Sequence, residues 1–291
     1  EWLQYEKETG KQIDDHLISW YIEQGLSPAS ISFIKGRMSA LQIKNYLSRQ
    51  SAENGEKIGN VLSIWMDYLR MADSLGWDTQ EAIIYRARKL FQRHDEASQC
   101  LRRKKLQERI SEKKTAFPTI QQICSSIRKK YEYRSDKEVY EILVPNGIED
   151  ILAEGECLKH CIDVNNLYLQ RIADRETYIL FLRKRENPMQ PYFTLEVEPN
   201  GTVRQKSTYY NRQEKNMDEI NQFLKRWQRV IQKRLSKQDK LWTEESQKKR
   251  EEEYLQLRKE KKIIFACNYN GKLLADILEE NLLETEAEPA A

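Results

Sequence analysis

The sequence predicts an α+β fold, and three features support this prediction. Apolar residues recur at the three-and-four spacing of amphipathic helices over most of the chain. Alternating residues typical of strands are concentrated between Tyr178 and Thr208. Within that region, Asn200-Gly201 supplies the positive φ angles that a tight hairpin turn requires. We therefore expect a helical N-terminal domain, then a small antiparallel sheet flanked by helices, and a long charged C-terminal helix.

The length of the chain predicts two domains, because a domain takes roughly 150 residues and the chain has 291. Hydrophobic residues make up 39% and charged residues 33% of the chain, a balance typical of helical proteins with much solvated surface. We place a helical domain at 1–115, a linker or bridging segment at 116–145, an α+β core at 146–235, and a charged helical extension with an acidic tail at 236–291.

The cellular setting follows from what the sequence lacks. No stretch approaches the roughly 18 to 20 apolar residues of a membrane span, so we expect a cytoplasmic protein with no membrane partner. The five cysteines form an odd and mostly scattered set, which favours reduced thiols over a disulfide framework.

The first domain is built from amphipathic helices. Apolar residues from Ile58 to Met71 follow one buried helix face, and Gly76 ends that helix. Ser27 and Pro28 are placed to begin an earlier one. Such apolar stripes predict core packing rather than a cofactor site, and we expect no cofactor.

A basic run lies between Arg86 and Lys114. It contains eleven basic and four acidic residues, and its densest part is Arg102, Arg103, Lys104 and Lys105. A positive helix of this kind would track the phosphates of DNA or RNA and gain affinity by counterion release. The alternative is a solvated helix face, which the lack of interleaved aromatic residues favours.

Two further segments complete the predicted sheet region. The residues from Thr177 to Lys184 are apolar and aromatic enough for a central strand. Those from Tyr192 to Thr208 form a hairpin, and the pattern from Val139 to Val144 is compatible with a further strand.

The hairpin turn sets which residues face each other. With a two-residue loop at Asn200-Gly201, Glu198 pairs with Val203, and Glu196 pairs with Gln205. A three-residue loop would shift this register.

One face of the hairpin collects candidate catalytic residues. Glu196 and Gln205, with His160 nearby and Arg183 from the neighbouring strand, would supply the acid, the base and the anion-binding group for phosphodiester chemistry. The alternative is a solvent-facing sheet surface, which carries threonine, glutamate and glutamine routinely.

The cluster Cys157-Leu158-Lys159-His160-Cys161 lies on a helix predicted from Glu156 to Ala173. Structural zinc needs four ligands, and the two other histidines lie in the helical domain with no nearby cysteine, so we expect no metal site. Adjacent helical residues point about 100° apart, so His160 is poorly placed to activate Cys161. We favour structural thiols and keep Cys161 as a nucleophile as the weaker alternative.

A second basic region follows the sheet. Met217 to Leu235 is an amphipathic helix whose apolar side would cover the sheet. Between Arg212 and Lys262 there are sixteen basic and ten acidic residues, and the part from Glu244 to Lys262 has the pattern of an extended charged helix. The nucleic-acid-binding residues predicted in this region are Arg226, Arg229, Lys233 and Arg234.

Four segments of the central block match a known family pattern. They are EGECLKHCI at Glu154 to Ile162, YILFLRK at Tyr178 to Lys184, PYFTLEV at Pro191 to Val197, and YYN at Tyr209 to Asn211. These segments resemble the PcfJ-like family of conjugative plasmids, integrative elements and phages. The sequence departs from that pattern at Asp163 and Arg175-Glu176, where glycines are expected. The resemblance implies a mobile-element setting, a part in DNA transfer or nucleic-acid processing, and conjugation or phage proteins as partners.

These observations lead to one expectation for function and two alternatives. We expect a nucleic-acid-associated accessory protein of a mobile genetic element that binds through its basic helices. The first alternative is a metal-independent or metal-assisted hydrolase or nuclease centred on His160, Glu196 and Gln205, with Arg183 as an anion anchor. The second is a protein-interaction scaffold that binds a partner through the long charged helix and ignores nucleic acid.

Overall fold

The computed structural model describes residues 1–10, 13–34, 36–159, 166–211, 216–265 and 270–285. The chain divides into two compact units, Glu1–Glu108 and Arg109–Ala291. The predicted α+β class is confirmed, because helices precede a four-stranded antiparallel sheet that helices flank. Of the helices that the structure describes, none has the length and apolar content of a membrane span.

The first unit is helical and packs around aromatic side chains. Trp65 is fully buried, its indole N–H donates to the carbonyl of Tyr85 at 2.7 Å, and its ring lies 4.4 Å from that of Tyr46. Its helices are α1 (Trp2–Thr9), α2 (Asp15–Glu23), α3 (Pro28–Ile31), α4 (Ala40–Asn54), α5 (Ile58–Ser74), α6 (Ala82–Tyr85) and α7 (Leu90–Ala116), the last of which ends in the second unit.

The second unit holds the sheet. Its main elements are α8 (Ile120–Tyr131), β1 (Tyr140–Leu143), α9 (Ile148–Leu158), α10 (Leu167–Ala173), β2 (Tyr178–Lys184), β3 (Phe193–Val197), β4 (Val203–Ser207), α11 (Met217–Gln232) and α12 (Lys237–Glu260). The chain then forms β5 (Ile263–Ile264), β6 (Lys272–Leu273) and α13 (Leu274–Asn281). The segment assigned to a linker at 116–145 thus contains α8 and the edge strand β1.

The sheet has the strand order β1-β2-β3-β4, with every neighbouring pair antiparallel. Its apolar face packs against α8 and α11. The Phe223 ring of α11 lies 5.5 Å from that of Tyr140 on β1, and the Trp227 indole donates to the carbonyl of Tyr131 at 2.9 Å. The predicted covering of this face by the helix after the hairpin is confirmed.

The predicted hairpin register is correct in the middle of the strands and wrong next to the turn. Glu196 pairs with Gln205 as predicted, but Val203 pairs with Val197 rather than with Glu198. The turn takes three residues, Pro199 to Gly201: the Gly201 N–H donates to the Glu198 carbonyl at 2.8 Å, and Glu198 donates to the carbonyl of Thr202 at 2.8 Å.

A β-bulge then restores the predicted register. The pairing shifts between Glu196 and Val197, so Arg204 is an extra residue on β4. The three-residue turn moves the register by one residue and the bulge moves it back. The position of the bulge places the side chain of Arg204 among buried charges.

The single helix predicted from Glu156 to Ala173 is wrong. α9 ends at Leu158, where Lys159 adopts a left-handed conformation with φ 55°, and α10 begins only at Leu167. The apolar spacing continues across this break in the sequence, so periodicity alone merged two helices. His160 and Cys161 lie outside the described residues.

Candidate functional site

The face of the sheet opposite α11 is charged and buried. Glu196 of β3 lies opposite Ile179 of β2 and Gln205 of β4, so these side chains share one face. Arg183 of β2 and Glu141 of β1 are paired on that same face. Glu196 is only 2% exposed, so the sheet does not present it to solvent.

The carboxylate of Glu196 is held by hydrogen bonds on both oxygens. Oε1 accepts from Arg171 Nη1 at 2.9 Å and from Thr177 Oγ1 at 3.0 Å. Oε2 accepts from Gln205 Nε2 at 3.2 Å. Glu196 and Gln205 are therefore brought together as the hypothesis of a catalytic set requires, but as members of a fixed network.

Arg171 of α10 links that carboxylate to α12. Its guanidinium also donates to Glu253 at 2.5 Å and lies 3.3 Å from Glu176. Burial opposes its charge, yet the carboxylates of Glu196, Glu253 and Glu176 outweigh this effect and raise the pKa of Arg171 above its ordinary value. The cation is thus permanently charged and shared among three acids.

The bulged Arg204 forms a second centre of the same network. It donates to Glu198 at 2.8 Å, to Glu176 at 2.9 Å, and to the carbonyl of Ser246 on α12 at 2.7 Å. Arg250 of α12 lies 3.0 Å from the same carboxylate of Glu198. Burial raises the pKa of the Glu198 carboxyl above its ordinary value, although the two arginines lower it in part.

Arg183 does not reach the network around Glu196. Its guanidinium makes two hydrogen bonds to Glu154 of α9, at 2.8 and 2.5 Å, and its cationic carbon lies 4.8 Å from the Phe181 ring centre. Both members of the pair are buried. Arg183 is also four residues along β2 from Ile179, the residue opposite Glu196, or roughly 13 Å. The side chain placed as an anion anchor is occupied by a carboxylate of its own chain.

The cysteine and histidine cluster is only partly described. His160 and Cys161 fall outside the described ranges, while Cys157 on α9 is an exposed free thiol. Among the residues that the structure describes, no group of three or more His, Cys, Asp or Glu side chains is placed to hold a metal ion.

The profile of the PcfJ-like protein family matches residues 64–224, which is more than half of the chain. The chain belongs to the PcfJ-like family. It is also 24% identical over 184 residues to the uncharacterized protein Lin1253/Lin1744 of Listeria innocua serovar 6a (strain ATCC BAA-680 / CLIP 11262), an alignment that covers 63% of this chain and 36% of that protein. The PcfJ-like chain thus corresponds to about a third of that relative's length. No solved structure gives a significant match.

Three arginines that organise the charged face were not identified from the sequence of this PcfJ-like protein. Arg171 lies inside the predicted apolar helix, Arg204 joins the charged face through the bulge, and Arg250 belongs to a helix without apolar periodicity. A weak signal existed in the family segments, since EGECLKHCI contains Glu154 and YILFLRK contains Arg183, which form one buried pair.

The first set of predicted nucleic-acid contacts is exposed. Arg102, Arg103, Lys104 and Lys105 all lie on α7 and are solvent-accessible, and Lys104 also donates to the carbonyl of Ser74 at 2.8 Å. Four consecutive helical residues are spaced about 100° apart, so they surround the helix rather than form a single-face stripe.

The second set is partly engaged within the protein. Arg226 makes two hydrogen bonds of 2.8 Å to Glu138, and Arg234 donates to the carbonyl of Lys130 at the end of α8 at 3.0 Å. Arg229 and Lys233 are exposed, and Arg229 has a further interaction within the chain. Arg226 and Arg234 thus make contacts that join elements of the fold.

Proposed function

We propose that this PcfJ-like protein is a nucleic-acid-associated accessory protein of a mobile genetic element and that it binds DNA or RNA through exposed basic helix residues. The supporting observation is the cation cluster Arg102 to Lys105 on α7, where all four side chains are exposed. Exposed cations gain affinity for phosphates by releasing condensed counterions. Conjugation or phage proteins are the partners that such a setting would supply.

The charged face of the sheet gives little support to the alternative of a hydrolase. A general base must reach a substrate proton, and an anion anchor must present free donors. Glu196 instead has both oxygens hydrogen-bonded, and Arg183 is paired with Glu154. These groups hold the fold together.

The test is binding of the full chain to labelled duplex DNA, single-stranded DNA and RNA, measured by fluorescence anisotropy over a salt series. For duplex DNA, the logarithm of the association constant should fall linearly with the logarithm of the salt concentration, with a slope of about −0.9 per phosphate contact. Absence of binding to all three probes at low salt would overturn the proposal.

A four-residue variant locates the contact. Changing Arg102, Arg103, Lys104 and Lys105 to Gln should reduce the slope by about 2 to 3, since residues surrounding a helix cannot all face one duplex. The matched control removes the same charge from exposed lysines elsewhere, through Lys57→Gln, Lys248→Gln, Lys259→Gln and Lys262→Gln. If both variants lower binding equally, net charge rather than α7 accounts for it.

A further inference from the structure

Three helix ends meet in the second unit. The C-terminus of α8, the C-terminus of α11 and the N-terminus of α12 are joined by two contacts. Arg234, just after α11, donates to the carbonyl of Lys130 at 3.0 Å. The ammonium of Lys130 in turn forms an ion pair with Asp239 in the first turn of α12. These contacts hold the three elements in one arrangement.

The surface of this meeting point is cationic. Four exposed lysines lie there, and we refer to them as the junction lysines: Lys129, Lys233, Lys237 and Lys240. The acidic residue in the first turn of α12, Asp239, is only 1% exposed and is bonded to Lys130 and to the N–H of Ser236 at 2.7 Å. Its charge is therefore directed inward, while the lysines face solvent.

Helix stability explains only half of this charge. Lysines at a helix C-terminus interact favourably with the helix dipole, which accounts for Lys129 and Lys233. Lys237 and Lys240 instead lie in the first turn or so of α12, next to the positive end of its dipole, where a cation is unfavourable. A charge arrangement that opposes local stability points to an external anion.

We propose that the junction lysines bind the phosphate backbone of a nucleic acid, so that the second unit carries a contact surface of its own in addition to α7. This inference rests on the proposed function. Lysines from three elements fixed by an ion pair and a hydrogen bond present an array of cations in one place, which suits a polymer of closely spaced phosphates. A membrane surface fits this site less well, because helices that bind membranes present several apolar side chains. In this part of α12 the structure shows one large apolar side chain exposed, Leu241.

The experiment compares four forms of the full chain: wild type, the α7 variant with Gln at 102 to 105, the junction variant, and the two variants combined. The junction variant carries Lys129→Gln, Lys233→Gln, Lys237→Gln and Lys240→Gln. Each form is titrated onto labelled duplex DNA, single-stranded DNA and RNA over a salt series. The affinity of each form is compared with that of the matched control, which carries Gln at 57, 248, 259 and 262.

The junction variant should bind at least about tenfold more weakly at low salt, with a slope reduced by about 2 to 4. The α7 variant should keep salt-dependent binding, and the combined variant should lose both contributions. The junction variant should also melt close to the wild-type temperature, because removing two unfavourable cations at the start of α12 offsets the loss of two favourable ones at the ends of α8 and α11. Loss of binding together with a lowered melting temperature would point to disrupted folding and overturn the proposal.

Other outcomes separate this inference from the function it rests on. If the junction variant binds with the affinity and slope of the matched control while the α7 variant loses binding, the junction proposal is wrong and the proposed function stands. If wild type binds no nucleic acid, both fail. The wild type and the junction variant are also titrated onto anionic phosphatidylserine vesicles. If the junction variant loses binding to the vesicles but not to nucleic acid, the surface belongs to a membrane and the inference is overturned.

Discussion

The guanidinium of Arg250 lies 3.0 Å from the carboxylate of Glu198, and both side chains are buried between α12 and the sheet. Such packing is unusual for a surface helix, which normally buries an apolar stripe. α12 instead places two of its leucines, Leu241 and Leu255, in solvent and buries Ser246 and Arg250. Charges and hydrogen bonds therefore supply much of the buried contact of α12, beside the apolar burial of Tyr254.

Replacing Arg250 with Met should lower the stability of the second unit by about 3 kcal/mol. The buried carboxylate of Glu198 contacts two arginines, Arg250 and Arg204, and in the variant it would keep only the contact with Arg204 of these two. Hydrogen exchange of the β2, β3 and α12 amides, resolved by mass spectrometry, measures this change in the second unit itself. Lys248→Met is the control, since Lys248 is exposed on the same helix. Equal exchange rates in the two variants would show that α12 is held in another way.

The sequence was sufficient where one physical pattern dominated. Alternation and the Asn200-Gly201 turn located the hairpin and its central pair, Glu196 and Gln205. Apolar spacing located α11, whose buried Phe223 and Trp227 cover the sheet.

The sequence was insufficient where charge replaced apolar burial. The partners of Arg171 and Arg250 come from elements distant along the chain, and one sequence holds no signal that pairs them. The bulge at Arg204 was equally hidden, because it compensates a one-residue shift at the turn and leaves the alternation around it intact. Composition also does not reveal that the junction lysines and the α7 cations are exposed.

The buried pair of Glu154 and Arg183 should make stability depend on pH. Burial raises the pKa of Glu154 above its ordinary value, although Arg183 lowers it in part. A carboxyl with a raised pKa in the folded state contributes its full stability below the unfolded value of about 4.3, and that contribution is lost as pH rises through the folded value.

Arg183→Met should raise the pKa of Glu154 further, so the deficit relative to wild type should be small near pH 4 and grow to about 3 kcal/mol near neutral pH. Exchange of the β2 amides at several pH values measures the deficit. The double variant with Glu154→Gln should lose this pH dependence, because no carboxyl is left to titrate. A deficit that is constant with pH would mean that packing of the Arg183 side chain, not its charge, matters.

Gly201 should be required for its backbone conformation alone. Its φ of +93° is one that side chains rarely adopt, while an added Cβ would lie at an ordinary 3.5 Å from Ile231. Gly201→Ala should therefore destabilise the second unit by about 1 to 2 kcal/mol. Gly59→Ala is the matched control: Gly59 lies in α5 with no atom within 4 Å of an added Cβ, and the change should stabilise the first unit by about 0.5 kcal/mol. Equal changes in stability for the two variants would show that the positive φ of Gly201 is not the cause.

Lys206 should be a source of instability at neutral pH. Burial lowers the pKa of its ammonium to about 8, and its Nζ donates to the carbonyl of Asn281 on α13 at 2.6 Å. For a lysine with a lowered pKa, the stabilising contribution is present above the unfolded value of about 10.4 and is lost as pH falls through about 8.

Lys206→Met should thus stabilise the second unit by about 1 to 2 kcal/mol at pH 7, where removing a partly buried charge outweighs one lost hydrogen bond. Near pH 10.5 the wild-type amine is neutral, so only the lost hydrogen bond remains and the variant should be about 1 kcal/mol less stable. Urea unfolding of both proteins at the two pH values measures the difference. Because the expected effect changes sign, a variant that is more stable, or less stable, at both pH values would show that Lys206 is not held as a perturbed buried amine.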